Sequence, residues 1–286
     1  MDVIDPALQP DQQVERWDRH VAGYEAVFEG LSNRFAAHAL ALLAPLDGVV
    51  HLDVAAGAGG ATLLAAAAGA RVTAVDASEA MVARITERAT NASATITARV
   101  ADGMALGLPD ASFGSALSCF GVVLFPNPAH GMAELFRVLR PGGRVAIVAW
   151  TEPHRYELSA RLRAATLAVR GAVPEGPLPA QLRFIDPDRF MALLTDTGFQ
   201  SVRVERSEAA LQAPSALTLA TALAFAPGMA AMLDALGPDR DAVLDAFTKG
   251  LGQGPITLHA VAHIATGTRP GPCLMPHALA QDQVVA

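Results

Sequence analysis

A run of small residues at the end of an apolar segment is the part of this sequence best suited to binding a ligand. The run, DVAAGAGG, spans residues 53–60. Because they lack a Cβ, Gly57 and Gly59 let a ligand approach the main chain, and a helix that begins there offers free N–H groups. A tight turn that binds nothing is the alternative, since a glycine-rich turn alone is a weak signal.

An acidic residue, Asp76, follows this run at a distance that suits a nucleotide site. It ends the next strand-like segment, 17 residues after Gly59. A carboxylate there can accept hydrogen bonds from the two hydroxyls of a ribose. A helix cap is the other role open to Asp76, and Ser78 competes for it. Nicotinamide dinucleotides and S-adenosylmethionine both fit the pattern up to this point.

The pattern of apolar residues predicts the elements that position these groups. Short apolar or β-branched segments alternate with segments of helical spacing, which indicates βαβ units with helices on both faces of a parallel sheet. We therefore expect an α/β fold: a Rossmann-like, doubly wound, mostly parallel sheet of seven strands. Such a sheet binds ligands at the carboxyl ends of its strands, where the glycine run and Asp76 fall. The predicted strands are residues 49–54, 71–75, 95–100, 112–120, 144–150, 199–204 and 256–266.

Two helical parts flank this core. Residues 11–44 carry apolar residues at three- and four-residue spacing and predict a helix in an N-terminal cap. A helical insertion precedes the last strand, and its apolar composition suits a lid over an apolar substrate pocket, although packing on the sheet would explain it too. The predicted limits are 1–45 for the cap, 46–206 with 255–268 for the core, 207–254 for the insertion, and 269–286 for a proline-rich tail that we expect to be weakly ordered.

Composition argues against several other classes of protein. The net charge of −7 disfavours a general nucleic-acid binder. His259 and His263 lack a carboxylate or thiol partner, so no metal site is expected. Pro227 and Gly228 interrupt the most apolar window, residues 216–236, so no membrane span is predicted. The sequence shows no signal peptide, and the cytoplasm is the expected location.

Motifs further along the chain carry a family resemblance. After the third strand, Asp102 precedes Gly103 and Met104, and the fourth strand leads into CFGVVLFPNPAHGMAELFRVLRPGGRVAIVAW. Together with LDVAAGAGG and VDASEAM, this passage resembles the class I S-adenosylmethionine-dependent methyltransferases, in particular the small-molecule enzymes related to ubiquinone and menaquinone biosynthesis. The resemblance is close over residues 46–150 and implies S-adenosylmethionine as the cofactor.

The resemblance also implies a role for each matching residue. One position departs from the family pattern, since Ala55 stands where many members have their first glycine. Alanine is tolerated there elsewhere in the group. The implied cofactor-binding residues are Asp53, Ala55, Gly57 and Gly59 around the methionine part, Asp76 with the adjacent Ala77 at the ribose, Met81, Asp102, Gly103 and Met104 around the adenine, and Phe120 and Gly121 beside the sulfonium.

We expect an enzyme that transfers a methyl group to an oxygen or carbon of a hydrophobic small molecule, such as a polyketide, a quinone or a phenol. Three residues are candidates for a general base. His154 follows the fifth strand, and His20 and Tyr24 lie in the cap. Each also has a structural interpretation: His154 fits an exposed loop residue, His20 fits a residue of the cap with no catalytic role, and Tyr24 fits a core aromatic or a contact to the cofactor carboxylate.

Two other functions stay open at this point. A protein with the methyltransferase fold can bind the cofactor and catalyse a different reaction, such as a cyclisation, because function resides in the site and not in the fold. A dinucleotide-dependent oxidoreductase would need a third glycine and a Tyr/Lys pair, and the only lysine, Lys249, lies in the insertion. The expected partner is a hydrophobic small molecule, and the sequence is compatible with a homodimer.

Overall fold

A sheet of seven strands forms the centre of the computed structural model, which describes residues 9–92, 94–172 and 178–271. The strands are β1 Val50–Val54, β2 Arg71–Asp76, β3 Ile96–Val100, β4 Phe113–Cys119, β5 Leu139–Trp150, β6 Gln200–Ala213 and β7 Ile256–Thr268. Their order is β3-β2-β1-β4-β5-β7-β6. The first five strands pair in parallel, and β7 pairs antiparallel with β5 and β6. The predicted Rossmann-like class is confirmed; residues 272–286 of the predicted tail lie outside the described residues.

Helices pack on both faces of this sheet. Alternate residues of β5 enter two different apolar clusters: Ala146 and Val148 belong to one, Val145 and Ile147 to the other. This alternation follows from the two-residue period of a strand, and the burial of both faces explains why residues 145–150 of β5 are all apolar. The helices are α1 Val14–Trp17, α2 Val21–Gly23, α3 Gly30–Leu42, α4 Gly60–Ala67, α5 Glu79–Ala92, α6 Pro128–Val138, α7 Glu157–Arg170, α8 Pro187–Thr195, α9 Ala216–Thr221, α10 Pro227–Asp234 and α11 Arg240–Leu251.

The helix predicted over residues 11–44 is wrong before residue 21, whereas residues 21–42 are helical without interruption. The segment consists of a 3₁₀ turn at Pro10–Gln12, the short helices α1 and α2, a π-helix at Tyr24–Glu29, and α3. A long-range contact lies at the break between α1 and α2, where Asp18 accepts a 2.6 Å hydrogen bond from the hydroxyl of Ser78. Tertiary contacts of this kind override local helix propensity, and apolar spacing does not reveal them.

The predicted start of the insertion at residue 207 is also wrong. Strand β6 extends to Ala213 and pairs with β7 down to Ile256. Residues 207–213, SEAALQA, contain residues that favour helices, but the neighbouring strand supplies a continuous ladder of partners. The insertion therefore begins at residue 214 and consists of α9, α10, a 3₁₀ turn and α11.

Among the described residues, no helix has the length and apolarity needed to cross a membrane. The apolar window at residues 216–236 folds as two short helices, α9 and α10. Pro227 occupies the first turn of α10, a position where its missing N–H leaves no helical hydrogen bond unmade.

Candidate active site

A cavity of about 680 Å³ opens at the carboxyl ends of the strands. This volume lies within the range of about 300–1,000 Å³ that is usual for small-molecule sites. Residues that follow β1 through β5 form much of its wall, as expected for an open α/β sheet. Ten of the predicted cofactor residues line it: Ala55, Gly57, Asp76, Ala77, Met81, Asp102, Gly103, Met104, Phe120 and Gly121.

The glycine run places bare backbone against this cavity. Ala55 and Gly57 both have a φ of 56°, in the left-handed region that favours glycine. A Cβ at Gly57 would lie 3.3 Å from the ring of Tyr24, and a Cβ at Gly121 would lie 2.3 Å from the Cβ of Ala55. The alanine at position 55 is therefore accommodated only because residue 121 has no side chain.

The other two predicted residues, Asp53 and Gly59, lie behind the wall and not in it. Asp53 is 1% exposed and accepts a 2.6 Å hydrogen bond from Thr62 Oγ1. Burial raises the pKa of Asp53 to about 7. A Cβ at Gly59 would lie 2.9 Å from Ile85, so this glycine lets α5 pack against the loop. Both residues support the loop from behind.

Two carboxylates mark the part of the wall that suits a nucleoside. Asp76 accepts hydrogen bonds from the Gly57 N–H at 2.8 Å and from the Ser78 N–H at 2.9 Å, so it holds the glycine loop and also starts the turn into α5. Burial raises the pKa of Asp76 to about 6. Asp102 accepts from the Met104 N–H at 2.8 Å. A carboxylate has about four lone-pair sites, so both groups retain acceptor capacity for a ligand.

These features fit S-adenosylmethionine. Asp76 can receive ribose hydroxyls, and Asp102 can receive an amino group. Bare backbone at Gly57 and Gly121 leaves space for the remainder of the molecule. A Cβ at Gly103 would lie 2.3 Å from the ring of Phe125, so this stretch also has no space for a larger side chain.

Aromatic rings form another part of the wall, and sequence reasoning missed most of them. Trp150 stacks between Phe120, at 4.4 Å between ring centroids, and Tyr156, at 4.5 Å. Phe28 stacks on Phe225 of the insertion at 5.5 Å. The signal that could have found them is scarcity: the chain has two tryptophans and two tyrosines, and all four line this cavity.

The three predicted base candidates have different positions. Tyr24 lines the cavity, its hydroxyl 3.4 Å from Ser32 Oγ, and burial raises its pKa. His154 is exposed in the 3₁₀ turn Pro153–Arg155 and is not part of the wall. His20 is also outside the wall, and its Nδ1 lies 2.6 Å from the Arg16 carbonyl oxygen. The geometry therefore gives neither histidine a contact with a ligand in this cavity.

The N-terminal turn at Pro10–Gln12 lines the cavity and is tied to three other parts of the fold. Gln12 Nε2 donates to the Leu124 carbonyl at 2.9 Å. Asp11 Oδ1 accepts from the Gly228 N–H at the start of α10, at 2.6 Å. Gln9 Nε2 donates to the Leu178 carbonyl at 3.1 Å. These long-range bonds hold the turn as a strap over the ligand space, and we call residues 9–12 the strap.

The strand order and the position of the cavity are those of a class I methyltransferase, and a family comparison agrees. The profile described as "methyltransferase domain" matches residues 52–147, from β1 into β5. Residues 52–147 therefore match a methyltransferase domain, and the predicted resemblance to the class I S-adenosylmethionine-dependent methyltransferases is confirmed. The match to this domain confirms the prediction of S-adenosylmethionine as the cofactor.

Several curated relatives share part or most of the chain. An uncharacterized protein of Mycobacterium tuberculosis is 34% identical over 46% of this chain and 52% of its own length, so the match spans about half of this relative. Nocamycin O-methyltransferase of Saccharothrix syringae is 29% identical over 89% of this chain and 98% of that protein. Demethylmenaquinone methyltransferase of Clavibacter sepedonicus is 37% identical over 39% of this chain and 45% of that protein.

Solved structures share the architecture at low identity. Phosphoethanolamine N-methyltransferase 2 of Haemonchus contortus, in complex with phosphomonomethylethanolamine and S-adenosylhomocysteine, has a TM-score of 0.56 at 18% identity, over 88% of this chain and 57% of that chain. The (4+2)-cyclase SpnF has a TM-score of 0.53 at 20% identity, over 84% of this chain and 81% of that chain. At these identities the likeness concerns the fold alone.

Proposed function

We propose that this protein transfers a methyl group from S-adenosylmethionine to an oxygen or carbon of a hydrophobic small molecule. The observation that supports this best is a single cavity that contains both the predicted cofactor residues and a wall of aromatic rings. The relative named nocamycin O-methyltransferase, which matches most of the chain, supports an acceptor of the small-molecule type.

The cofactor, when bound, supplies an electrophilic methyl group on a sulfonium. Asp76 and Asp102 would hold its ribose and adenine parts, and Gly57 and Gly121 would let it approach the main chain. The chain then has to orient the acceptor and exclude water, which can lower a barrier by about 7–11 kcal/mol. Aromatic side chains suit both tasks, because they enclose part of the site with rigid apolar surface. The strap adds a polar part of the wall, held by its long-range hydrogen bonds.

The insertion would act as a lid over the acceptor. It contributes Phe225, Met229 and Met232 to the cavity wall. Unbranched methionine side chains adapt to the shape of a ligand, and apolar surface favours an apolar acceptor. A polyketide, a quinone or a phenol fits such a wall. Crystals soaked with such compounds would test the lid, since the compounds must contact these three residues; binding confined to other surfaces would contradict it.

Titration calorimetry tests the cofactor part of this proposal. We expect heat on adding S-adenosylmethionine or S-adenosylhomocysteine and none with a nicotinamide dinucleotide. The Asp76→Ala variant should lose the signal, whereas Asp196→Asn, an exposed carboxylate at the end of α8, should retain it. Binding of the dinucleotide alone would contradict the proposal.

Transfer of a labelled methyl group tests the reaction itself. The acceptors are a panel of phenols, quinols and polyketides, and we expect label in at least one class. Cofactor binding without transfer to any of them would instead favour a different reaction on the same fold, such as a cyclisation.

A further inference from the structure

The charged side chains of the cavity wall all have the same sign. Among the described residues they are Asp11, Asp76 and Asp102, and no lysine, arginine or histidine of the described chain joins them. Asp76 and Asp102 match the family's cofactor residues. Asp11 belongs to the strap and has no role in that match. Its function is therefore open.

Asp11 lies where the cofactor and the acceptor should meet. Its neighbour Gln12 bonds the carbonyl of Leu124, in the turn that directly follows Phe120 and Gly121. On the other side, Asp11 Oδ1 accepts from the Gly228 N–H, at the first turn of the insertion's α10. Asp11 thus connects the loop after β4, which should flank the sulfonium, with the insertion that should cover the acceptor.

The two oxygens of Asp11 differ in their partners. The Gly228 N–H donates to Oδ1 at 2.6 Å, and Oδ2 receives no hydrogen bond from the described part of the chain. Other candidates in the wall are held in their protonated forms, since burial raises the pKa of Tyr24, Tyr156 and Cys119. A phenol or thiol whose pKa is raised in this way already carries its proton near neutral pH and cannot accept another.

We infer that Asp11 is the general base of the reaction and that the acceptor is a neutral compound whose O–H donates to Asp11 Oδ2. This rests on the proposed methyl transfer. The acceptor oxygen forms a bond to the methyl carbon, the bond from that carbon to sulfur breaks with its electron pair left on sulfur, and the proton passes to Asp11. An acceptor that carries a carboxylate or phosphate should bind weakly, because the charged side chains of the described wall are all acidic and repel it.

The surroundings of Asp11 suit this task. Burial raises the pKa of its carboxyl, while the Gly228 N–H and the positive charge available on His20 act in the opposite direction. His20 lies on the same N-terminal segment, and α10 contributes the Gly228 N–H. A general base works best when its pKa approaches the working pH, so partial burial of this carboxylate favours proton transfer.

A binding experiment tests the role of Asp11 without any turnover. The probe is 4-nitrophenol, whose phenol and phenolate forms absorb at different wavelengths, added to protein saturated with S-adenosylhomocysteine. Wild type should bind the neutral form and reject the phenolate. Asp11→Asn, which keeps the acceptor for Gly228 but removes the charge, should bind the phenolate about tenfold more tightly or better relative to wild type. Glu15→Gln, an exposed carboxylate of the same segment, should behave like wild type.

Turnover gives a second measurement. With 4-nitrophenol as acceptor, Asp11→Asn should lower kcat by about 10²-fold or more and remove the acidic limb of the pH profile, with cofactor affinity unchanged. Gly228→Ala would place a Cβ 2.3 Å from Asp11 Oδ2, so it should displace the carboxylate without removing its charge and reduce kcat as well.

The outcomes separate the two hypotheses. No binding of S-adenosylhomocysteine by wild type would overturn the proposed function. Cofactor binding with equal phenolate preference in wild type and Asp11→Asn would overturn only the role of Asp11. Failure of wild type to bind 4-nitrophenol would overturn the neutral hydroxyl acceptor. The binding experiment decides between these results whether or not the probe is methylated.

Discussion

Individual residues in the cavity wall are restricted by the space that the backbone leaves. Ala55 and Phe120 both have positive φ values, 56° and 62°, which cost about 1–2 kcal/mol for residues with a Cβ. Strained backbone angles of this kind persist only where the surrounding structure holds them in place. Here the two strained residues lie on either side of the expected position of the sulfonium. The wall therefore depends on precise backbone positions as well as on side chains.

Gly121→Ala tests this dependence. The new Cβ would lie 2.3 Å from the Cβ of Ala55 and 2.8 Å from Ser118 Oγ, in a buried site. We expect cofactor binding to weaken and the free energy of unfolding to fall by about 1–3 kcal/mol, as for other overpacked sites. Calorimetry and urea denaturation measure the two effects.

Gly30→Ala is the matched control, because a Cβ there meets nothing within 4 Å at the start of α3. It should leave binding unchanged and raise the free energy of unfolding by up to about 1 kcal/mol. Wild-type behaviour of Gly121→Ala would show that the wall can adjust.

Protonation of Asp76 should control cofactor affinity. Its folded-state pKa is raised to about 6 by burial, and the ionised form is the better acceptor for ribose hydroxyls and the better partner for a cation. Affinity for S-adenosylmethionine should therefore be constant above that pH and weaken as the pH falls below it, approaching about tenfold per pH unit.

Calorimetry between about pH 5 and pH 8 measures this effect. This range begins about one unit below the expected transition and ends about two units above it. Asp76→Asn should bind weakly and without this pH dependence, whereas Asp196→Asn should keep it. A wild-type affinity that does not change across this range would mean that Asp76 does not contact the cofactor.

Two arginines of α5 attach the π-helix of the cap to the core. Arg88 Nη1 donates to Glu29 Oε1 at 2.6 Å and to the Ala58 carbonyl at 2.8 Å, so one side chain joins the π-helix to the glycine loop. Arg84 pairs with Glu25 of the same π-helix at 2.9 Å. The π-helix in turn carries Tyr24 and Phe28 to the cavity.

Arg88→Met should therefore affect both stability and the site. It leaves the buried Glu29 carboxylate unpaired, and we expect the free energy of unfolding to fall by about 1–3 kcal/mol. Cofactor affinity should decrease too, because the Ala58 carbonyl loses its donor. Lys249→Met is the control: it breaks a pair whose side chains are 75% and 61% exposed, which should cost less than about 1 kcal/mol. Equal stability of the two variants would exclude a linking role for Arg88.

The whole molecule shares one large apolar cluster between its cap, its sheet and its insertion. Phe35 of α3, Val148 of β5 and Phe247 of α11 all belong to it. A second cluster lies on the other face of the sheet, under α6 and α8. Since the insertion has no cluster of its own in the described chain, it should unfold with the core.

Phe247→Ala tests this cooperativity. Phe247 is 1% exposed, and its truncation should lower the free energy of unfolding by about 3–5 kcal/mol. Denaturation followed by circular dichroism and by tryptophan fluorescence should give one coincident transition. Leu217→Ala, at a position that is 69% exposed, should change stability by less than about 0.5 kcal/mol. Two separate transitions would show that the insertion folds independently.

The sequence by itself determined the architecture and most of the cofactor wall. A two-residue period identifies strands, a 3.6-residue period identifies helices, and parallel strands bring their carboxyl ends to one edge. Residues such as Gly57, Asp76 and Asp102 can therefore be assigned from their place after a strand. Short-range patterns suffice for this because each residue's position depends on the strand just before it.

Only the tertiary structure decided what else surrounds the ligand. It excluded His154 and His20 from the wall, brought Phe28 against Phe225, and placed Asp11 against Gly228, 217 residues further along the chain. Contacts over such separations depend on how the cap and the insertion pack on the sheet, and no local periodicity encodes that packing. The physical reason is that the strap is held by hydrogen bonds to distant backbone, whose partners exist only once the chain has folded.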